Sequence, residues 1–581
     1  MLFGKRLFFY LIAYNLLIYC ELWVIQINRL QKYFFNGLLL SVVAIIMRTV
    51  SVSFNVYVTS KVGAEGMGLL NLTSTVYSFA ITLATSGINL AVTRLVSNAL
   101  PYENESYFDK KSDRRVRKIM KNAFFYCLFF SVLSSVLLFT SASAIGKAAL
   151  GDARTIPALK ILSFTLVPIS LSSTLNGYFC AVRRVYKNVI LQICEQFAKI
   201  TVVSSLLVLI APRGLEYACI AVVAGGAVSE AVCVIISITL YLFDRKIHRS
   251  KKFQITDNGK KSADVSKFDV KGVKKGSFIT LGEHTRSEDN SIIKIALPVA
   301  VSTYVRSALL TIEHLAIPWG LKKSGASASQ ALASYGVLHG MVFPILLFPS
   351  AVLSAFSSLL IPELSSAHEQ GDTKRIKSIV SRVFCFALLF SVGVAGVFVC
   401  FSSELGKIIY NNAEAGEFIK LLSPLIPLMY LDNAVDSMLK GLGEQLYTMR
   451  VNIIDALMSV VLVVTLLPFM GIKGYVVVIF LMELFNTSFS IIKLLSITKI
   501  NTPIKKWVFK PLGCVIASTI ITRAVFSIDF VYLPLMSLFD VKILSFVEIG
   551  VCAIIYLILT RLCGAISKEE IYLAKSLVKR C

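Results

Sequence analysis

The chain has 581 residues, 56% of them hydrophobic, with a formal net charge of +25 and a mean hydropathy of +0.74. Apolar runs of roughly 20 residues recur along its length, enough to cross a bilayer as helix, so the soluble classes are excluded and an all-α polytopic membrane protein is expected. The surplus of Lys and Arg does not point to nucleic acid, because it sits in short loops between apolar spans, where it sets orientation and meets anionic lipid headgroups.

Residues 1–31 form an N-terminal extension. Within it, residues 7–27 are apolar, follow Lys5 and Arg6 and lack a small-residue cleavage site, which favours an extra helix or a misplaced start over a signal peptide. Core spans are then predicted near 34–58, 68–97, 119–144, 156–179, 188–211 and 217–243, the N-lobe of 32–243. A basic cytoplasmic linker, 244–291, carries Arg245-Lys246, Lys251-Lys252, Lys260-Lys261 and Lys274-Lys275 among Gly, Ser and Asp, the composition of a disordered segment lying on the inner leaflet. A second group, the C-lobe of 292–500, spans 292–318, 331–360, 378–402, 418–439, 448–469 and 473–495. Residues 501–581 add spans near 507–528 and 543–563 and a cytoplasmic tail, for fourteen core helices. With residue 34 inside, inward loops hold roughly 35 Lys and Arg against roughly 10 outside, so both core ends face the cytoplasm.

The two groups of six repeat each other. Lys160-Ile-Leu-Ser163 matches Lys420-Leu-Leu-Ser423, Asn176 falls opposite Asp436, and Glu195 opposite Asp455; Met67-Gly68-Leu69 matches Tyr335-Gly336-Val337. Six helices per half preserve the in-out orientation, so the halves are parallel repeats about an axis along the membrane normal, with a substrate site expected between them.

The eighth span is the most unusual. Residues 335–364 carry Pro344, Pro349 and Pro362, with His339 at mid-membrane. Pro344 and Pro349 each delete a backbone donor, and in a bilayer the freed carbonyls must be satisfied by a neighbouring helix or a water-filled cavity. On the second span Asn71, Thr75, Ser78, Thr82, Thr85, Asn89 and Thr93 recur every three or four residues, a polar stripe directed at a cavity or a packed helix. Arg94 lies at its inner end, and the first helix adds Arg48, Ser51, Asn55 and Thr59 on one face.

Intramembrane charges cost about 3 kcal/mol each on insertion scales and so need partners or water. Arg306 and Glu313 are two turns apart on one face with His314 beside them, and read as cavity groups or as an internal ion pair. Glu195 and Lys199, one turn apart, read as a self-neutralising pair. Asp432, Asp436 and Lys440 follow Pro424 and Pro427, while Asp455 and Glu483 have no local cation. Asp432, Asp436, Asp455 and Glu483 are the candidates for Na⁺ or H⁺ coupling. The twelve cysteines are scattered without a Cys-x-x-Cys pair, so neither a disulfide framework nor a metal site is expected. No catalytic motif, P-loop or zinc motif occurs, and neither an enzyme nor a cofactor is expected.

Gly63-Ala64-Glu65-Gly66, the Tyr335–Glu363 span, Tyr430-Leu431, Lys440-Gly441-Leu442-Gly443-Glu444-Gln445, Ile453-Ile454-Asp455 and Pro468-x-x-Gly471-Ile-x-Gly474-Tyr475 together resemble the stage V sporulation protein B group, over about residues 32–500. These are polysaccharide-type flippases of the multidrug, oligosaccharidyl-lipid and polysaccharide (MOP) exporter superfamily. The resemblance implies a V-shaped pair of six-helix lobes in the plasma membrane that exports lipid-linked cell-wall or polysaccharide precursors by alternating access, with sporulation and cell-wall synthesis proteins as associated expectations. It extends to the lipid II flippases, whose cavity is cationic and whose last two helices form a groove for the lipid tail. Arg48 falls on the family's basic position and Glu313 on its usual Asp; Asn55 stands where many relatives have Arg, Ser459 gives Asp455 no cationic partner, and the 244–291 insert is unusual. Arg48, Arg94 and Arg306 are the expected phosphate contacts, with His339 a weaker one, and Asn55, Asn71, Asn89 and Glu313 the expected polar lining. Exporting about two negative charges through about 100 mV, inside negative, releases roughly 4 to 5 kcal/mol, so membrane potential is a third candidate driving force. The competing readings are a cation-coupled drug or metabolite antiporter of the same superfamily, which usually stops at twelve helices, and a non-transporting scaffold in envelope or spore assembly.

Overall fold

A computed structural model describes residues 29–100, 110–182, 184–258, 292–500, 505–527 and 541–564. The predicted helix over 7–27, the linker from 259 to 291 and the tail from 565 lie outside the described residues.

Every one of the fourteen predicted spans falls on helix. The first two share α1 (Arg29–Thr85), which bends at Gly63, φ 73° and ψ −177°; only glycine takes that conformation without strain, and it makes the outer turn between them. The second continues as α2 (Ile88–Ala99). Helices α3 (Lys110–Ala144), α4 (Ile156–Ala181), α5 (Val185–Ile210) and α6 (Leu215–Asn258) complete the N-lobe. Helix α6 does not stop near 243: it continues to Asn258, so the start of the expected linker is helical. Asp244 contributes to holding that exit, because its buried carboxylate is bonded by Arg184 and by the buried Lys187.

The seventh span is α7 (Ile292–Lys323). The eighth is broken into α8 (Ala328–Gly336), a π-helical stretch (Val337–Val342), a single turn α9 (Phe343–Leu346) and α10 (Ser350–Glu369). Next come α11 (Thr373–Cys400), the outer α12 (Ser402–Tyr410), α13 (Ala413–Leu422) and α14 (Ile426–Gly441), α15 (Gln445–Met470) and α16 (Ile472–Thr498). Helices α17 (Lys510–Phe526) and α18 (Val541–Leu562) are the last two spans. They dock on α11 through Val392, Cys514, Val515 and Tyr556, whose hydroxyl donates to the Leu389 carbonyl at 2.6 Å.

A continuous buried core crosses from the N-lobe (Leu72, Leu159, Leu207) through the eighth span (Tyr335, Val337, Leu346) to the C-lobe (Tyr430, Leu467, Leu494). Outward-facing side chains are apolar instead, as Phe125, Phe129, Leu133 and Val136 on α3 illustrate. Inside-out patterning of this kind is what lipid requires of a membrane protein, since the acyl chains compete for apolar contact as effectively as the core does.

Candidate functional site

The lobes meet along a seam of the first and second spans against the seventh and eighth. At its outer end Glu65 accepts from Arg154 Nη2 at 2.7 Å in its own lobe and from Ser329 Oγ at 2.7 Å across the seam. Arg154 is in turn held by Asp152, with Nη2 2.6 Å from Oδ2. Burial works against the Asp152 carboxylate, but the side-chain and backbone hydrogen bonds from Arg154 outweigh it and hold the carboxyl below its ordinary range. One turn deeper, glycines let the backbones touch. A Cβ on Gly336 would lie 2.1 Å from the Ala64 carbonyl oxygen and 2.6 Å from the Gly68 nitrogen, and one on Gly68 would lie 2.1 Å from the Leu332 carbonyl oxygen. Gly68 and Gly336 are the glycines that the sequence repeat pairs, and they approach each other where the two halves cross.

The eighth span is then tied to both lobes at its break. The bonds of the π-helical stretch run back five residues, as from the Phe343 N–H to the Leu338 carbonyl, and Pro344 ends that register without an N–H of its own; Asn55 Nδ2 from the N-lobe donates to the Gly340 carbonyl at 2.8 Å. Tyr430 on α14 donates to the Leu346 carbonyl at 2.6 Å, and the Phe348 N–H takes up the Ile345 carbonyl at 3.1 Å. Deeper still, Thr82 lies 3.3 Å from Ser307, and Ser86 bonds the Tyr304 hydroxyl.

Inside the C-lobe a polar cluster runs across α7, the π-helical stretch, α14, α15 and α16. Glu313 Oε1 accepts from Ser459 Oγ at 2.6 Å rather than pairing with Arg306. His314 Nδ1 lies 2.9 Å from the Tyr335 hydroxyl and His339 Nε2 2.9 Å from that of Tyr475, with the imidazole centroids 4.7 Å apart. Asp432 Oδ2 accepts from Asn486 Nδ2 at 3.2 Å, and Glu483 Oε1 accepts from Thr487 at 3.2 Å. Asp432 Oδ1 and Asp455 Oδ1 are buried without a hydrogen-bond partner. Asp455 lies within electrostatic reach of Glu313, Asp432 and Glu483, and Arg306 within reach of Asp432 and Asp455. Glu313, Asp432, Asp455 and Glu483 thus share a neighbourhood with Arg306, and Asp436 and Lys440 add one charge of each sign beside Asp432.

Arg48, Arg94 and Arg306 are exposed within spanning helices and make no hydrogen bond or ion pair to any described residue. Arg48 from the N-lobe lies within reach of Tyr430, two positions before Asp432 on α14. Two expected contacts are engaged elsewhere. Asn55 is committed to the Gly340 carbonyl, and His339 is walled in by Tyr335, Phe343 and His314 with its Nε2 on Tyr475. The stripe on the second span largely satisfies itself: Asn71, Thr75, Ser78, Thr82, Thr85 and Thr93 donate to carbonyls four residues back. Asn89 sits at a crossing inside the N-lobe, where Thr93 also reaches the Gly177 carbonyl at 3.1 Å. Asp436 is 3.6 Å from Lys440 Nζ, one turn along α14. Tyr335, Tyr475 and Asn486 join this cluster without having been expected there, and Ser459 enters it as the donor to Glu313. Tyr335 alone left a signal, one helical turn before His339.

Residues 35–266 match the family described as polysaccharide biosynthesis protein, and residues 324–465 match the family described as MatE. Stage V sporulation protein B of Bacillus subtilis (strain 168) is 24% identical over 448 residues, 76% of this chain and 80% of that protein. Sporulation protein YkvU of the same organism is 19% identical over 419 residues, 72% and 83% of the respective chains. Among solved structures, the lipid II flippase MurJ in an inward closed conformation superposes with a TM-score of 0.62 at 11% identity, covering 91% of this chain and 99% of that one. An inward-facing multidrug resistance MATE family transporter of the MOP superfamily gives 0.55 at 12% identity, covering 80% and 100%. At these identities the likeness to the solved structures is one of fold.

Proposed function

We propose that this chain, a multi-pass membrane transporter of the MOP superfamily and a homologue of stage V sporulation protein B, exports a phosphate-bearing lipid-linked sugar, of the peptidoglycan or polysaccharide precursor class, by alternating access of its lobes. The observation that carries this reading is the placement of Arg48 and Arg306. They come from opposite lobes, approach α14 and make no hydrogen bond or ion pair to any described residue, Arg306 lying only within longer electrostatic reach of Asp432 and Asp455. Unpaired guanidinium groups inside a membrane call for an anionic ligand or water, and their planar fork of donors suits phosphate oxygens. Arg94 on α2 supplies a third cation toward the cytoplasmic end, where a precursor would enter.

The test is outward movement of labelled lipid II and of a lipid-linked polysaccharide unit in vesicles. A charged hydrogen bond is worth about 1.5–3 kcal/mol, so Arg48→Ala and Arg306→Ala are each expected to slow flipping by about 10- to 100-fold. Undiminished flipping in both variants overturns the phosphate reading.

A cation-coupled antiporter is the second reading, favoured by the orphaned oxygens of Asp432 and Asp455. It expects Asp455→Asn to abolish a response to an imposed Na⁺ or pH gradient. Under potential-driven export, that variant would leave the response to a clamped voltage intact.

A further inference from the structure

We infer that Asn55 is a positioning residue for transport. Its amide donor holds the proline-broken eighth span against the N-lobe, and this single bond across the seam biases the transporter toward the state in which its outer face is closed. The inference rests on the chain being a transporter whose lobes move, and not on the identity of what it carries.

Three features converge on one peptide unit. Pro344, without an N–H, ends the π-helical register just past Gly340, and Asn55 Nδ2 reaches the Gly340 carbonyl at 2.8 Å from the other lobe. Position 340 also lies against the second span: a Cβ there would lie 2.9 Å from Asn71 Nδ2 and 3.0 Å from Met67 Cβ, both side-chain atoms of the N-lobe. The glycine permits the approach and the asparagine uses it. Asn55 itself is anchored, because its own carbonyl is occupied by Thr59 Oγ1 at 2.8 Å.

The consequence is a bond that depends on the transport state. When the lobes part at their outer end, the first and eighth spans separate and the Gly340 carbonyl loses this donor. In hydrocarbon it has no substitute until water reaches it. The other carbonyl at the break, Leu346, is served by Tyr430 of its own lobe and is unaffected by lobe separation. The break is therefore half internal and half shared, and only the shared half senses the position of the N-lobe.

The experiment is a two-by-two comparison of Asn55→Leu and Pro344→Ala. The readout is single-molecule energy transfer across the outer face, between dyes on a keto amino acid introduced at positions 213 and 473, whose native side chains are exposed at the outer ends of the two lobes. Asn55→Leu is expected to lower the ratio of closed to open molecules about ten-fold, which is about 1.4 kcal/mol. In the Pro344→Ala background, where the restored N–H lets the span close as regular α-helix with the 344 N–H on the Gly340 carbonyl, the same replacement is expected to change the ratio less than about three-fold. An equal shift in both backgrounds, or none in either, overturns the inference. Asn55→Ser, which keeps a shorter donor, guards against misfolding: if Asn55→Leu lowers the melting temperature sharply, the comparison is repeated with Ser, and a closed fraction unchanged by both Ser and Pro344→Ala counts against the bond. Loss of lipid flipping with an unaltered distance distribution would instead place Asn55 at the substrate.

Discussion

The second and eighth spans are related by the internal repeat, both are broken inside the membrane, and the two breaks are satisfied in opposite ways. The second breaks at Ser86 and Gly87, with φ of 43° and 70°. Its freed carbonyls stay within the N-lobe: Ser170 Oγ donates to Ala84 at 2.9 Å and the Tyr126 hydroxyl to Ser86 at 3.3 Å. The eighth breaks at prolines and borrows a donor from the other lobe. A positive-φ break can be sealed by neighbours that travel with it, whereas the eighth span leaves part of its backbone dependent on the seam. The first arrangement gives a rigid lobe and the second a joint that reports lobe position.

The harshest way to break this comparison is to spoil the glycine crossing that brings the joint together. In Gly336→Ala the new Cβ would overlap the Ala64 carbonyl and the Gly68 nitrogen, both backbone atoms that cannot swing aside. Overpacking of this kind costs about 1–3 kcal/mol or more. Outer-face closure and transport are expected to fall by about 100-fold, while Gly226→Ala, with open space around it, leaves both unchanged.

Tyr430→Phe strips the internal donor from the eighth span and is expected to cost about 1–3 kcal/mol, read as a lower melting temperature in detergent, because the Leu346 carbonyl is left buried. Ser170→Ala and Tyr126→Phe probe the second span. Each should cost about 1 kcal/mol with no change in the distance between lobes. A change in that distance would show that the N-lobe break also senses the seam, through Ser86 and Tyr304.

The smallest expected effect is at the outer clasp. Glu65 and Arg154 remain partly exposed, at 28% and 37%, so Glu65→Gln is expected to cost about 0.2–1 kcal/mol, shrinking in high salt. Asp152 makes the clasp pH-dependent. Its carboxyl is held below the unfolded value of about 3.9, so its contribution is complete above that pH and is lost as pH falls through the folded value. Wild type should therefore lose more stability than Asp152→Asn below about pH 4.

Much of this was legible in the sequence because the bilayer imposes a length and a polarity on each span. The fourteen spans, their repeat and the need of the eighth for outside donors follow from apolar run length, residue identity and the missing N–H of proline. Even the pairing of Gly68 with Gly336 was present as a repeat. The candidate site was less legible. Glu313, seven residues from Arg306, read as a cavity group or as half of an ion pair; its hydrogen bond comes instead from Ser459, 146 positions away. Asn55 and His339 looked like cavity groups because a sequence gives polarity without direction. The stripe on the second span was legible only as facing a cavity or a packed helix, and the structure adds that its hydroxyls mostly return to their own helix.

The sequence by itself determined a helical membrane protein of two parallel halves, the positions of its breaks and the stock of intramembrane charges, since each depends on local covalent chemistry and on hydrophobic length. Only the tertiary structure decided which donor reaches the Gly340 carbonyl, which carboxylates share a neighbourhood with Arg306 and where the two halves touch. Those outcomes depend on how helices rotate and cross, and a rotation of one helix by a third of a turn leaves the sequence pattern unchanged while exchanging every partner on its face.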